Sequence, residues 1–308
     1  MGRGARKPKG FLDVDGILLL DKPKGLSSNQ ALQKVRYLFK ANKAGHTGSL
    51  DPLATGMLPI CFGEATKFSA YLLDASKSYR ASCQLGKTTS TGDAEGDVTS
   101  ERPVNVSEKE LSQALQQFTG LIEQVPPMHS AVKVNGRRLY KLARSGKEVE
   151  RAARAVEIHE LTLVEFNHDK LVLDVRCSKG TYIRTLAEDI GNALGCGAYL
   201  TDLHRTSVHH FDQYRCYSLD ELSALSEISA HKLSECLLPV KSALNDFEDL
   251  IVDQNSTALL KQGRVIQGDF SVQPGLLILV SENGQFLGLG EATSDGRILP
   301  KRLMNTAR

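Results

Sequence analysis

The sequence predicts an α+β fold in two parts: a larger domain of helices packed on a β-sheet, then a small C-terminal β module. Three observations carry this. Short apolar or alternating runs recur between segments of helical spacing from Gly16 onward. From about Ile251 the texture changes, and apolar runs at Leu276 to Val280 and Phe286 to Leu289 alternate with the turn clusters Glu282-Asn283-Gly284 and Ser294-Asp295-Gly296. A chain of 308 residues, 41% hydrophobic and 24% charged, suits a soluble globular protein of two ordinary domains. The expected boundaries are a basic tail at 1–10, a main domain at 11–250 and the β module at 251–308.

Taken in order, the tail carries Arg3, Arg6, Lys7 and Lys9 with no acid, the composition of a disordered, solvated segment. It lacks the apolar core of a signal peptide, and no apolar run in the chain approaches a membrane span. Gly16 to Lys22 reads as a buried strand stopped by Pro23 and Gly25. Ser27 or Ser28 caps a helix on which Ala31, Leu32, Val35 and Leu38 share a face. Met57 to Phe62 is a second buried strand, Ala65 to Leu73 a short helix, and Tyr79 to Leu85 an alternating strand with Tyr79, Ala81, Cys83 and Leu85 on one face. Thr88 to Asp97 is too rich in Thr, Gly and Asp for a regular element. Ser107 to Glu110 is a capping box opening a helix that ends near Gly120, and Asn135-Gly136 signals a hairpin. Leu171, Leu173, Val175 and Cys177 alternate along a strand that runs through a glycine turn into a helix bearing Tyr182 and Arg184 in its first turn. Gly195 ends that helix, and two helical segments fill the region to about Asp249.

The net charge of +2 is segregated. Lys133 to Arg154 holds eight Lys or Arg against Glu148 and Glu150, whereas Arg215 to Asp253 holds eight acids against three bases. One basic and one acidic surface are expected, which favours a nucleic-acid partner. The cysteines at 61, 83, 177, 196, 216 and 236 form no C-x-x-C pair, so neither a zinc site nor a disulfide framework is indicated, and buried thiols in a reducing compartment account for them. Adjacent strand residues point to opposite faces, so His209-His210 is not read as a metal site.

The stretch around which these elements are organised is Gly45-His46-Thr47-Gly48-Ser49-Leu50-Asp51-Pro52-Leu53-Ala54-Thr55-Gly56. Its glycines permit tight turns, and Pro52 keeps Asp51 out of the helical region, so one carboxylate sits on a stiff loop beside a buried strand. Lys22 to Leu50 contains no acid but six Lys or Arg, so Asp51 closes a basic segment. Such a carboxylate could be a nucleophile facing a polyanion, or an Asp-Pro turn bonded to its own backbone. Chemistry alone favours the turn.

This stretch closely resembles the signature of the TruB family, the tRNA pseudouridine-55 synthases, in which the aspartate matching Asp51 is the nucleophile. Three more stretches resemble the family in its order: Lys77-Ser78-Tyr79-Arg80, the run Cys177 to Leu186, and Gly195 to Thr206. The resemblance implies a mixed or antiparallel β-sheet catalytic domain flanked by helices, the pseudouridine synthase fold, and a C-terminal PUA-like β-barrel. It implies that Tyr79 stacks on the target uracil near the reacting atoms, that Arg184 pairs with Asp51, and that Tyr182 packs under the flipped base. It implies also that Leu203 lines the uridine pocket and that His46 holds the opened RNA. The basic stretch at about 127–155 looks like the flexible insertion that grips the tRNA arm. Ser90 and His129 depart from the pattern, which often has an acid at the first position and usually a tyrosine at the second.

The function implied is isomerisation of uridine 55 in the T-loop of tRNA, by base flipping and without cofactor or metal. The partner implied is the tRNA T stem-loop, with no membrane and no guide RNA, and the protein is expected to be a cytoplasmic monomer. Two rivals stand beside this reading: a tRNA-binding folding factor with secondary or no catalysis, and a hydrolase using Asp51 covalently. The set Asp51, Tyr79, Tyr182 and Arg184 argues against the first, and the lack of a general-base partner in motif spacing argues against the second.

Overall fold

A computed structural model of the chain describes residues 10–130, 132–134, 136–143, 145–268, 270 and 272–305. Nine of the ten residues expected to form the basic tail, and Asn135 of the expected hairpin turn, lie outside the described residues.

Strand β1 (Gly16–Lys22) is Gly-Ile-Leu-Leu-Leu-Asp-Lys, with Ile17 to Leu20 all at most 1% exposed, so both of its faces are covered. Helix α1 (Ser28–Leu38) starts at Ser27, whose hydroxyl accepts from Gln30 N while the Gln30 side chain returns to the Ser27 backbone. β2 (Ala44–His46) and β3 (Thr55–Phe62) follow on either side of the Asp51 loop. The single helix expected at Ala65 to Leu73 is instead a 3₁₀ turn (Gly63–Lys67) and a short α2 (Ser69–Asp74), because the chain breaks at the buried Phe68.

β4 (Lys77–Leu85) alternates as expected, with Ala81, Cys83 and Leu85 buried. The loop expected at Thr88 to Asp97 is the tip of a hairpin: β5 (Lys87–Thr89) pairs with β6 (Val98–Glu101), and Thr88 bonds Thr99 across it at 2.9 Å. Polar β-branched threonines serve an exposed ladder, which an apolar period does not reveal. α3 (Glu108–Gln117) carries the Ser107 capping box and leads to β7 (Gly120–Gln124). The basic segment contains the expected hairpin, β8 (Lys133–Val134) with β9 (Arg137–Arg138), and a short α4 (Leu139–Ala143). β10 (Arg154–Asn167) and β11 (Lys170–Cys177) lead to α5 (Ile183–Ala193), after which Gly195 takes φ +76° at the turn. β12 (Ala198–Val208), α6 (Leu219–Ile228), α7 (Ala230–Ser234) and a 3₁₀ turn (Val240–Leu244) complete the larger part.

The main sheet has eight strands in the order β1-β3-β12-β4-β11-β10-β7, with β2 on β3; all pairings are antiparallel except β3 with β12. It is the mixed, helix-flanked sheet that was expected. Two apolar layers cover it: Leu18, Leu20, Leu58 and Ile60 join the side bearing α1, while Ile17, Leu19, Met57 and Cys61 face Phe68 and Phe211. β12 lies in the middle of the sheet, and it ends at Val208. His209-His210 are therefore in a turn, where His210 adopts φ +76° and the two rings stack with centroids 3.8 Å apart. The expectation that they point to opposite faces fails because strand alternation stops one residue earlier.

The C-terminal sheet comprises β13 (Asp249–Val252), β14 (Ile266–Gln267), β15 (Gly275–Ser281), β16 (Phe286–Ala292) and β17 (Arg297–Leu303) in the order β13-β15-β16-β17-β14. It is not all β. Helix α8 (Gln254–Lys261) follows β13, capped by Asp253 on Ser256 N at 2.6 Å. With only Thr257 and Leu260 buried, eight residues are too few to display a helical period. Ile278 and Leu289 reach the layer of Phe68, and Phe286 packs on Phe68 at 5.6 Å between centroids, so this module is fastened to the main sheet.

Candidate active site

Asp51 projects from a loop whose neighbours are drawn inward. Leu50, Leu53 and Ala54 are buried, whereas the Asp51 side chain keeps 47% of its exposure. The backbone is fastened at several points. Ser28 Oγ accepts from Leu50 N at 2.7 Å, Gly25 N donates to Pro52 O at 2.7 Å, and Ala54 N donates to Asp51 O at 3.1 Å. Gly48 and Gly56 take φ +88° and +96°, and a Cβ at Gly56 would fall on the backbone oxygen of Arg205.

Arg184, in the first turn of α5, reaches this loop from another part of the sheet. Its Nη2 lies 2.9 Å from Asp51 Oδ2 and donates to His129 O at 2.8 Å. Its Nη1 lies 3.3 Å from Asp93 Oδ2 and donates to Thr91 O at 3.1 Å. The Arg184 side chain is 7% exposed and that of Asp93 3%, so a buried cation is shared by one buried and one half-exposed carboxylate. A planar guanidinium can serve partners on two sides at once, which an ammonium cannot. Asp93 is itself held, accepting from Thr91 Oγ1 at 2.5 Å and Glu95 N at 3.1 Å. Burial, with Asp93 and Asp51 close by, pushes the Glu95 carboxyl up from its ordinary value.

The other expected residues lie on β2, β4, β12 and the start of α5. Tyr79 lies on β4 opposite Arg205 of β12, and Leu203, two residues along the same strand, lies opposite Ala81. Leu203 is 9% exposed and Tyr79 half-buried. Burial raises the Tyr79 phenol above its ordinary value, so it stays protonated at neutral pH. Tyr182 caps α5 two residues before Arg184; Gln124 of β7 clamps its peptide, accepting from Tyr182 N at 3.0 Å and donating to Tyr182 O at 3.3 Å. His46 ends β2 at the entry to the loop. Its Nδ1 is enclosed without a hydrogen-bond partner, and burial lowers its pKa, so the ring is neutral at pH 7. Asp51 and Arg184 are thus in direct contact, while Tyr79, Leu203, Tyr182 and His46 are delivered by the strands and turns beside them.

Four further participants are not marked by the sequence motifs. Asp93 lies in the polar stretch Thr88 to Asp97, where Gly92-Asp93-Ala94-Glu95-Gly96 is a dense acid and glycine cluster. Arg205 is 1% exposed; its Nε donates to Met57 O at 2.6 Å and its Nη2 to Gly48 O at 3.1 Å, so one guanidinium holds both flanks of the Asp51 loop. A β-bulge between Leu200 and Asp202 shifts the phase of β12, which hides Arg205 from a period-2 count. Gln124 is buried at 2% exposure beside Tyr182. Lys22, fully buried, donates to Pro23 O at 2.8 Å and Leu26 O at 2.5 Å, and burial pushes its ammonium down to about 8 even though Asp51 draws it the other way.

The chain matches the TruB family pseudouridylate synthase N-terminal domain over residues 36–183, the tRNA pseudouridylate synthase B C-terminal domain over 184–245, and the pseudouridine synthase II TruB C-terminal model over 249–304. It is 52% identical over 294 residues to tRNA pseudouridine synthase B of Ectopseudomonas mendocina, covering 95% of this chain and 96% of that protein. It is 51% identical over 295 residues to the protein of the same name from Methylobacillus flagellatus, covering 96% and 97%. In fold it is similar to a chain of a Cbf5-Nop10-Gar1 complex, with a TM-score of 0.72, 24% identity, and coverage of 94% of this chain and 84% of that one. A chain of an archaeal box H/ACA sRNP Nop10-Cbf5 complex gives a TM-score of 0.71 at 21% identity, covering 97% and 88%.

Proposed function

The chain belongs to the TruB family of pseudouridylate synthases, and from that premise we propose that it isomerises uridine to pseudouridine in tRNA, at uridine 55 of the T-loop. The glycosidic bond between C1′ and N1 breaks, the base turns, and a bond forms between C1′ and C5; N1 gains a proton and C5 loses one. No oxidant or reductant enters this balance.

The observation that carries the reading is the Asp51–Arg184 contact at 2.9 Å, with the arginine buried and the carboxylate half-exposed. Arg184 aims Asp51 while leaving its other oxygen open for attack on the sugar or the base. A uridine in a folded loop must leave its stack to arrive there. Tyr79 offers a flat ring and a protonated phenol, Tyr182 a second ring beside the helix start, and Leu203 an apolar wall. His46, at the entry to the Asp51 loop, would help hold the opened RNA. The basic segment at about 127–155, with its small hairpin, would grip the phosphates of the T arm, and the C-terminal module built on β13 to β17 would act as a PUA-like RNA-binding domain. The enzyme would act as a cytoplasmic monomer on tRNA without a guide RNA. Among the described residues no helix is long and apolar enough to cross a membrane.

The test is release of the C5 hydrogen isotope from an unmodified tRNA transcript, with wild type beside Asp51→Asn. Wild type should form pseudouridine at the T-loop uridine, and the variant should bind the same tRNA without product. Wild-type binding with no product would leave the tRNA-folding-factor reading in its place.

A further inference from the structure

We infer that His209, His210 and Asp246 form a binding site for a divalent d-block cation such as zinc, where the end of β12 meets the connection to the C-terminal sheet. The inference is independent of the reaction at Asp51. β12 stops at Val208, and His209 N donates to Ser76 O at 2.9 Å. His210 then takes φ +76°, a left-handed conformation that turns its ring back over that of His209, with centroids 3.8 Å apart and planes 37° apart. Asp246 comes from the segment between the 3₁₀ turn Val240–Leu244 and β13. Its Oδ2 lies 2.8 Å from His210 Nε2, and its Oδ1 lies 3.9 Å from His209 Nε2.

One donor atom from each residue lies within 4.8 Å of the other two. Two bonds of about 2.0–2.2 Å to nitrogen and oxygen reach at most about 4.4 Å across one ion, so the exposed His209 and Asp246 side chains would draw in around it, and two imidazoles with one carboxylate suit zinc, copper or nickel. An ion pair alone accounts for less of the arrangement. Asp246 lies 2.8 Å from the His210 ring nitrogen but 3.9 Å from that of His209, so a pairing with the carboxylate leaves the His209 ring largely unengaged. His210 Nε2 is enclosed and, although close to Asp246, makes no aligned hydrogen bond. A dication would engage both ring nitrogens and the carboxylate together. The His209 and Asp246 side chains are 54% and 64% exposed, which leaves positions for water ligands and makes the site open rather than a closed structural cage. Bound there, an ion would join the end of a central strand to the connector of the C-terminal module, so its effect falls on stability rather than on chemistry.

The experiment uses the full chain, stripped with a chelator and then titrated with Co²⁺ and with Zn²⁺. The expected result is one equivalent bound, visible d–d absorption without thiolate charge transfer, and a melting temperature raised by about 5 °C at a hundredfold excess over Kd. Asp246→Asn, and separately the double variant His209→Ala with His210→Asn, should each weaken zinc binding at least tenfold. Asn at 210 is chosen because it tolerates the left-handed backbone. Stoichiometric binding that survives both variants, thiolate charge transfer in the cobalt spectrum, or no saturable binding by wild type would each overturn the assignment; the wild-type spectrum decides even if a variant folds poorly.

Discussion

Arg184→Lys keeps the charge and removes the fork. The guanidinium engages Asp51 at 2.9 Å, Asp93 at 3.3 Å, Thr91 O at 3.1 Å and His129 O at 2.8 Å, with one terminal nitrogen toward each carboxylate. A single ammonium nitrogen cannot occupy both places, so at least two of these contacts are lost or lengthened. At about 1.5–3 kcal/mol for each charged hydrogen bond, the loss is about 3–6 kcal/mol. If it falls on the aiming of Asp51, the turnover step slows by roughly 10²–10⁴-fold, at about 1.36 kcal/mol per decade. The assay is single-turnover release of the C5 hydrogen isotope under excess enzyme, with tRNA affinity measured separately by filter binding. Affinity should stay within about threefold of wild type, because a side chain 7% exposed has little surface to offer to phosphate. A rate within fivefold of wild type would refute the reasoning and leave Arg184 a purely structural cation. A parallel loss of rate and affinity would make it an RNA contact instead.

Gly56→Ala should destabilise by about 2–5 kcal/mol, combining a left-handed backbone with a Cβ on the Arg205 carbonyl, whereas Gly45→Ala meets open space and should stay within about 0.5 kcal/mol; thermal melting separates them, and equal melting temperatures would refute the loop geometry. Replacing Lys133, Arg137 and Arg138 of the basic hairpin by alanine should flatten the slope of log affinity for tRNA against log salt by about 2–3 and leave single-turnover chemistry at saturation unchanged; an unaltered slope would remove the hairpin from the RNA interface. Lys22 is pushed down to about 8 from 10.5, so between these values the unfolded chain binds a proton that the folded chain has released. Stability conferred by Lys22 therefore rises with pH through that window, and wild type should gain on Lys22→Met by up to about 3 kcal/mol from pH 8 to 10.5 in urea titrations. A difference that is flat or falls with pH would contradict the burial of this ammonium.

The parts of the fold that were legible in the sequence are those in which one physical signal acts alone. Gly16 to Leu20 is an unbroken apolar run closed by Asp21 and Lys22, and β1 spans Gly16–Lys22. Ser107 with Glu110 is a reciprocal cap at a helix start, as expected, and of the two serines that could cap the earlier helix it is Ser27 that does so. Where two signals compete, the sequence pattern is ambiguous. In β5 and β6, turn-forming residues outweigh the ladder that the threonines build. In α8, a polar first turn and only two buried side chains leave the β texture around it to dominate. The candidate site divides in the same way. Asp51, Tyr79, Tyr182 and Arg184 were found because the motifs containing them resemble a family, not because their spacing announces a carboxylate–guanidinium pair 133 positions apart.

Arg205 shows most clearly why the remainder was hidden. A charged residue in a strand is read as solvent-facing by default, since an unpaired buried charge is expensive. Here the bulge at Leu200 moves Arg205 to the inward phase, and its cost is met by two carbonyls, Gly48 O and Met57 O, belonging to a strand and loop about 150 residues earlier. Gly48 and Gly56 take positive φ in this loop, β12 pairs with β3 at just His204–Thr55 and Arg205–Gly56, and the Arg205 side chain bonds the two carbonyls beyond that short ladder. The glycines of the motif and the buried arginine are therefore one device: the loop that displays Asp51 leaves backbone acceptors open, and the central strand supplies the cation that closes them. A sequence pattern records the glycines because they are local, but it cannot record the cation, whose partners exist only once the strands have paired.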